Sequence, residues 1–396
     1  MKNPSVVILF LCITFSLSGI FTSCNHPAVT YFEKEIDSIS RKYVPDKREG
    51  ICEVEVKKKG SDIVLKGFTS LPALKEALVK FLKEKVNGFI DSLIILPDTS
   101  IIKEPWAIVD ISVCNIRSTP GHDAEMVSQA LMGTPVKVLR YNGGWYLIQT
   151  PDSYVGYVDD DAITTMNTDS FEKWKSSSRI IWLAKTGDIY SVKNNNRIVS
   201  DIVAGNILEI SGENSKYYTV TFPDGREGLL NKKNCEKFEK WVQKTRPEVN
   251  NLVATAEEFM GTPYLWGGTS SKGMDCSGFT KTVYFLNGLI LARDVSLQFM
   301  HGMKIESGKT TDSLKIGDLL FFGSKRDGKP RPTHVGMYIG DTRFIHSSGM
   351  VKINSLDSTK TDFSRFRRDS FLGVRRIIGE PSSRGILLVK DHSWYK

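Results

Sequence analysis

A cysteine near the start of the last third of the chain has surroundings that suit a nucleophile. Cys276 stands in the run 275–278 (Asp-Cys-Ser-Gly), where a glycine-rich segment, 261–268, meets a helical apolar pattern over 276–287. A cysteine in the first turn of a helix faces unpaired backbone N–H groups and the positive end of the helix dipole. We therefore expect a lowered thiol pKa at Cys276, which favours the nucleophilic thiolate.

A nucleophilic thiol also needs a base and a group that orients the base. His334 begins an apolar strand pattern, and His346 follows twelve residues later on the next one. The Gly-Asp pair at 340–341 predicts a tight turn between them, so adjacent antiparallel strands could bring the two rings side by side. An isolated cysteine or strand histidine is more often structural. The hypothesis of nucleophile, base and orienting group therefore depends on Cys276, His334 and His346 occurring together.

The elements that must position these residues are helices and an antiparallel sheet. Helical spacing occurs over 251–260 and 276–287, and strand patterns occur over 319–322, 335–339 and 343–346. Neither histidine has a cysteine, histidine or acidic residue at short ligand spacing, so we expect no metal and no cofactor.

An internal repeat precedes this region. Residues 133–158 align without gaps to residues 205–230, at a constant offset of 72. Their short alternating segments, joined by Gly, Pro and Asp turns, predict two small β-barrels. The copies differ at Tyr154, which is Arg226 in the second copy, and at 122–125, which only the first copy has. Either one copy faces a substrate, or the difference is ordinary surface drift.

The N-terminal segment has the order of an export signal. Lys2 is followed by an apolar run over 6–17 and then by small residues before Cys24. This ending resembles a bacterial lipoprotein box, which implies cleavage before Cys24 and lipidation of its thiol; plain secretion is the alternative. After residue 30, no stretch approaches the roughly 18 apolar residues of a membrane span.

Composition indicates an ordinary globular protein. The 396 residues are 40% hydrophobic and 25% charged, with a formal net charge of +8. These values exclude disordered, collagen-like and polytopic membrane proteins. Lys and Arg are spread along the chain, which is weak evidence for nucleic-acid binding. The cysteines are scattered, so no disulfide framework is expected.

Five motifs, in the same order, resemble those of the NlpC family of papain-like cell-wall peptidases. They are Pro-Tyr-x-Trp-Gly-Gly (263–268), Asp-Cys-Ser-Gly-Phe (275–279), Gly-Asp-Leu (317–319), His-Val-Gly-Met-Tyr (334–338) and Ile-His (345–346). The resemblance spans residues 250–377. It implies a papain-like fold and a catalytic triad of Cys276, His334 and His346.

The repeat before this region resembles the bacterial SH3-like domains that accompany γ-D-glutamyl-L-diamino acid endopeptidases (dipeptidyl-peptidase VI). These enzymes cleave murein stem peptides that have a free N-terminal L-Ala, and they release L-Ala-D-Glu. The substrate-binding residues that the resemblance implies are Glu125, Tyr154, Asp275, Ser277, Ser296 and Tyr264. Glu125 and Tyr154 would bind the L-Ala amine, although Tyr157 is a neighbouring candidate, and Tyr264 would lie near the oxyanion.

The sequence thus predicts an α+β protein: a papain-like NlpC domain with a Cys-bearing helix on an antiparallel sheet, preceded by two SH3-like barrels and a small N-terminal α+β unit. The expected division is signal peptide 1–23, N-terminal domain 24–105, first SH3-like domain 106–168, second SH3-like domain 169–245, peptidase domain 246–380 and C-terminal tail 381–396.

We expect a monomeric, lipid-anchored protein of the cell envelope whose partners are murein stem peptides and not nucleic acid. The alternatives are a general murein endopeptidase or amidase on the same scaffold, or a non-catalytic peptidoglycan-binding lipoprotein.

Overall fold

Helices and strands both occur along the chain, and strands predominate, so the predicted α+β class is confirmed. The computed structural model describes residues 27–60, 62–306, 313–380 and 385–396. Cys24 and the predicted signal peptide lie outside these residues. Among the helices that are described, none combines the length and the apolar composition that crossing a bilayer requires.

The N-terminal unit packs two helices on a three-stranded sheet. Its elements are α1 (Pro27–Tyr43), β1 (Cys52–Lys59), β2 (Asp62–Thr69), α2 (Pro72–Lys85) and β3 (Phe89–Ile95). Strands β1 and β2 form an antiparallel hairpin, and β3 runs parallel to β2. Leu74, Leu78 and Leu82 recur every four residues along α2 and are fully buried, so one face of this helix forms the core of the unit.

The sequence repeat folds into two seven-stranded units with the same topology. The first contains β4 (Trp106–Val109), β5 (Val113–Arg117), β6 (Met126–Leu131), β7 (Pro135–Tyr141), β8 (Trp145–Gln149), β9 (Val155–Asp159) and β10 (Ile163–Met166). After α3 (Thr168–Ser176), the second contains β11 (Arg179–Trp182), β12 (Thr186–Tyr190), β13 (Ile198–Val203), β14 (Ile207–Glu213), β15 (Tyr217–Thr221), β16 (Glu227–Asn231) and β17 (Cys235–Lys237). The strand order is β10-β4-β7-β8-β9-β5-β6 in the first, and the second repeats it with each strand number raised by seven.

A glycine that the repeat shares lies where the two barrels touch. Gly133 has φ +79°, and a Cβ at this position would stand 2.0 Å from the Ile207 carbonyl oxygen. Nearby, the Ile207 N–H donates to the Met132 carbonyl at 2.9 Å. Only glycine permits both this backbone conformation and this close approach.

The third region builds a helix-covered antiparallel sheet. Its elements, after α4 (Phe238–Lys244), are α5 (Val249–Glu258), β18 (Thr269–Ser270), β19 (Gly273–Met274), α6 (Cys276–Leu286), β20 (Leu289–Leu291), α7 (Val295–Met300), β21 (Met303–Ile305), β22 (Leu319–Arg326), β23 (Lys329–Gly340), β24 (Arg343–Ser348), β25 (Met350–Ser355), α8 (Arg365–Asp369), β26 (Phe371–Arg376) and β27 (Ile386–Leu388). The main sheet has the order β21-β26-β22-β23-β24-β25. Phe279 and Val283 of α6 are buried in one cluster with Phe321, Val335 and Ile345 of the sheet.

The chain end, which we predicted to be a tail, packs into the structure. Strand β27 pairs with β20, and Tyr395 is buried beside Phe238 and Trp241 of α4. Residues 385–396 therefore join the third region to the helix that follows the second barrel. Burial of apolar surface stabilises this arrangement, because residues 385–396 cover surface that the third region and α4 would otherwise expose to water.

Candidate active site

Cys276 is the first residue of α6. The Asp275 side chain caps the helix by accepting a hydrogen bond from the Gly278 N–H at 2.7 Å. A Cβ on Gly278 would stand 2.0 Å from the Gly268 carbonyl oxygen, so the glycine-rich loop lies directly on the first helical turn. The Asp-Cys-Ser-Gly run thus places the thiol at a helix N-terminus, as the sequence predicts.

The two histidines lie side by side on β23 and β24. The Nε2 atom of His334 is 2.7 Å from Nδ1 of His346, and both side chains are buried. The tight turn at Gly340 and Asp341 joins the two strands, and both of these residues have positive φ. The other ring nitrogen of His346, Nε2, is 2.9 Å from Oδ1 of Asn354 on β25.

Asn354 decides which ring nitrogens carry hydrogen. Its Nδ2 donates to the Asp362 carbonyl at 3.0 Å, so its Oδ1 is the atom that faces His346. A carbonyl oxygen only accepts hydrogen bonds, so Nε2 of His346 must be protonated, and Nδ1 of the neutral ring must accept from Nε2–H of His334. The free lone pair of neutral His334 is then on Nδ1. In this tautomer, neutral His334 can accept a proton at Nδ1.

Burial shifts the ionisation of Cys276, His334 and His346. It raises the pKa of Cys276 to about 11 and lowers the pKa of His346 to about 4. Burial also lowers the pKa of His334 well below its ordinary value. Our expectation of a lowered thiol pKa is therefore wrong, because loss of hydration outweighs the helix N-terminus here. Burial thus favours the uncharged forms of the thiol and of both imidazoles.

Two of the predicted substrate-binding residues hold a buried arginine. Arg293 is 1% exposed, and its guanidinium donates to both carboxylate oxygens of Asp275, at 2.6 and 3.1 Å, and to the Ser277 hydroxyl at 3.0 Å. Its Nε–H reaches Ser128 of the first barrel at 3.0 Å. Asp275 and Ser277 thus help to join the barrel to the third region. Arg293 was not among the predicted residues, although a charged residue directly after the apolar run 289–292 was a signal.

A cavity of about 310 Å³ lies between the first barrel and the third region. All six residues that we predicted to bind substrate line it, together with Cys276. The barrel comes close because Gly267 has no side chain: a Cβ there would stand 2.3 Å from the Met126 carbonyl oxygen, next to Glu125. The volume is near the lower end of the range, roughly 300–1,000 Å³, that is usual for ligand sites.

Glu125 and Tyr154 reach this cavity from the barrel. The Glu125 carboxylate is exposed and accepts a hydrogen bond from the Trp266 indole at 2.8 Å. The Tyr154 hydroxyl donates to Asp294 at 3.2 Å, and burial raises the tyrosine pKa. Tyr157 instead packs against a small apolar cluster that the barrel forms with the N-terminal unit. Of the two tyrosine candidates, Tyr154 is therefore the one at the cavity.

Comparison with known proteins identifies the family. Residues 261–368 match the NlpC/P60 family, and residues 116–163 match the bacterial dipeptidyl-peptidase SH3 domain. A dipeptidyl-peptidase 6 of Lysinibacillus sphaericus is 31% identical over 267 residues, which are 63% of this chain and 92% of that protein. The chain belongs to the NlpC/P60 family. A γ-D-glutamyl-L-lysine dipeptidyl-peptidase of Bacillus cereus is also 31% identical, over 56% of this chain and 67% of its own length.

Solved NlpC/P60 structures share the fold. A family protein from Bacillus cereus superposes with a TM-score of 0.60 at 24% identity, covering 68% of this chain and 99% of that one. An NlpC/P60 endopeptidase from Photobacterium damselae subsp. piscicida gives a TM-score of 0.53 at 17% identity, covering 73% and 74%. The predicted papain-like NlpC domain and SH3-like domain are confirmed.

The N-terminal unit also contributes to the cavity of this NlpC/P60 protein. Arg48 donates to Asp294 at 2.5 Å and to the Ser296 hydroxyl at 3.0 Å, and the Asp46 carboxylate holds the same guanidinium. Neither Arg48 nor Asp294 was predicted. Arg48 stands in a charged run, 46–49, that resembles ordinary surface, and it lies 246 positions before Asp294, so sequence patterns carried no signal for this contact.

Tyr264 is the last of the predicted site residues. It lines the cavity beside Cys276, and burial raises its pKa to about 12. Its hydroxyl is therefore a neutral hydrogen-bond donor, as stabilising an oxyanion requires.

Proposed function

We propose that this protein is a cysteine peptidase that hydrolyses the bond between γ-D-Glu and the L-diamino acid of murein stem peptides with a free N-terminal L-Ala. The products are L-Ala-D-Glu and the remainder of the peptide, and the role is in recycling cell-wall peptides. The observation that carries this proposal is the cavity beside Cys276, which residues of the first barrel help to line.

Recognition of a free amine is supported by the charges of this cavity. Glu125 and Asp294 both present carboxylates to it, and Tyr154 adds a hydroxyl. Because Arg48 and Tyr154 share one oxygen of Asp294, Glu125 is the carboxylate with more freedom to bind an ammonium group. A charge-assisted hydrogen bond of this kind contributes about 1.5–3 kcal/mol, and an N-terminal acyl group would remove it. The names of the two dipeptidyl-peptidase relatives agree with this preference.

The proposed reaction begins with proton transfer from the Cys276 thiol to Nδ1 of His334. The sulfur attacks the γ-carbonyl carbon of D-Glu, and the Tyr264 hydroxyl donates to the developing oxyanion. His334 then returns its proton to the nitrogen of the diamino acid, the C–N bond breaks and a thioester remains. Water, deprotonated by His334, hydrolyses the thioester. His346 receives the Nε2–H hydrogen bond throughout and stabilises the imidazolium form of His334.

We propose further that the protein is exported and anchored to the cell envelope by a lipid on Cys24, because residues 1–24 have the order of a lipoprotein signal. Incorporation of a labelled fatty acid into the wild-type protein, but not into Cys24→Ser, is the expected result. Equal labelling of both proteins contradicts the assignment.

The activity is tested by measuring kcat/KM for L-Ala-γ-D-Glu-diaminopimelate and for the same peptide with an acetylated N-terminus. We expect the wild type to prefer the free amine and Cys276→Ala to cleave neither peptide. Glu125→Ala should lower kcat/KM for the free peptide by roughly ten- to a hundred-fold. The same variant should show a smaller preference for the free peptide over the acetylated one. Asp123→Ala is the matched control, since Asp123 is an exposed carboxylate two residues earlier that is not part of the cavity lining. If the wild type cleaves both peptides equally well, a general murein endopeptidase becomes the better interpretation.

A further inference from the structure

Arg367, on the short helix α8, lies beside the residues that carry the proposed reaction. Its guanidinium stands 5.8 Å above the Phe322 ring, and that ring packs 6.0 Å from the ring of His334. Its Nη2 atom is 3.3 Å from the Ser348 hydroxyl, two residues beyond His346 on β24. The group is close enough for its charge to interact with both Cys276 and Tyr264.

This guanidinium has no carboxylate at ion-pair distance among the residues that the structure describes. The same helix offers a direct comparison, since Arg365 and Arg368 stand 3.5 and 3.4 Å from Asp369. Arg367 is half-buried, and burial lowers its pKa. A partly desolvated cation without a counter-ion is unfavourable, and most of its N–H donors are left for a ligand. A carboxylate is the ligand that matches its planar fork of donors.

The position of Arg367 indicates which part of the substrate it meets. Neither Arg367 nor Ser348 lines the cavity that holds Glu125 and Tyr154. Arg367 instead shares the Phe322 ring as a neighbour with His334, the residue that returns a proton to the leaving amine in the proposed reaction. In an α-amino acid the amine and the carboxyl group are attached to the same carbon, so a leaving residue at His334 carries its carboxylate close to that point.

We propose that Arg367 binds a carboxylate of the leaving diamino acid and so selects peptides in which that group is free. The inference rests on the proposed function and adds to it a determinant on the leaving-group side. Arg367 would thus bind the leaving part of the substrate, whereas Glu125 binds the N-terminal amine.

The first test compares two peptides, L-Ala-γ-D-Glu-L-Lys with a free α-carboxylate and the same peptide with an α-carboxamide. We expect the wild type and Arg365→Gln to prefer the carboxylate by about ten-fold or more in kcat/KM, and Arg367→Gln to lose that preference. An equal preference in the wild type and in Arg367→Gln overturns the inference. A wild type that cleaves neither of these peptides nor L-Ala-γ-D-Glu-diaminopimelate overturns the proposed function instead, and the second test then decides the inference.

The second test does not depend on the peptide. Cys276 is alkylated with iodoacetate, which carries a carboxylate, and with iodoacetamide, which is neutral and of similar size, and modification of Cys276 is followed by peptide mass spectrometry. Ionisation of the thiol affects both reagents alike, so the ratio of the two rates reports attraction of the carboxylate. We expect the iodoacetate-to-iodoacetamide ratio to fall several-fold in Arg367→Gln and to stay unchanged in Arg365→Gln. Equal ratios in Arg367→Gln and the wild type overturn the inference.

Discussion

Asn354 offers a test of the hydrogen-bond order in the proposed catalytic group. Its Oδ1 accepts from His346 while its Nδ2 donates to the Asp362 carbonyl, so the two ends of one amide have separate functions. Asn354→Leu removes both contacts. Asn354→Asp keeps an acceptor for His346 but replaces the donor to the carbonyl with a second acceptor, which repels it.

The expected magnitudes follow from these contacts. A neutral hydrogen bond contributes about 0.5–1.5 kcal/mol, so losing the bond that orients the histidine pair should reduce kcat by about two- to twelve-fold in Asn354→Leu, with KM nearly unchanged. In Asn354→Asp the carboxylate still orients His346, so kcat at high pH should stay close to the wild-type value. The added negative charge favours the imidazolium forms and opposes the effect of the cations Arg367 and Lys352, which lower the pKa values of both histidines. The acidic limb of the pH profile of kcat should therefore move to higher pH.

The assay is kcat and KM of the free-amine peptide between pH 4 and 9, with urea unfolding of each variant alongside. Cys276 and Tyr264 also titrate near the histidines, but above this acidic limb, because burial raises the pKa of each. Ser355→Ala is the control for loosening of the sheet edge. The Ser355 hydroxyl forms a hydrogen bond with Thr342 and does not contact either histidine. If Asn354 had a purely structural role, Asn354→Asp would lower kcat at least as much as Asn354→Leu, because Asn354→Asp disturbs the contact with the Asp362 carbonyl more. That outcome, or a Leu variant with wild-type kcat, would refute the reasoning.

Two predictions concern stability. Because burial lowers the pKa of His346 from 6.5 to about 4, the unfolded chain binds a proton that the folded chain does not, and stability should be lost as pH falls through this window. This residue alone should contribute a slope of about 1.4 kcal/mol per pH unit, and His346→Gln should remove that part of the slope in urea unfolding; an unchanged slope would contradict the assignment. Gly133→Ala should lower the unfolding free energy by about 1–3 kcal/mol more than Gly143→Ala. Both glycines have positive φ, but only Gly133 faces a neighbouring barrel, so equal losses would mean that the inter-barrel contact is unimportant.

The sequence determined those features that depend on short stretches of chain. The position of Cys276 at the start of α6, the turn between β23 and β24, and the pairing of His334 with His346 all follow from local periodicity and from residues that favour turns. The constant offset between the two barrels likewise predicted two domains of one topology. These predictions succeed because strand alternation, helix spacing and capping act over a few residues.

Tertiary structure alone decided which charges meet and how they are hydrated. Arg48, Asp294 and Asn354 had no local signature, because each acts on a residue from a different element. The raised pKa of Cys276 was equally invisible, since a helix N-terminus is a local feature whereas desolvation depends on everything packed around the thiol. The sequence does not show whether a charged side chain is hydrated or is paired with a carboxylate that is distant in the chain. The folded structure determines which of these two environments the charge has.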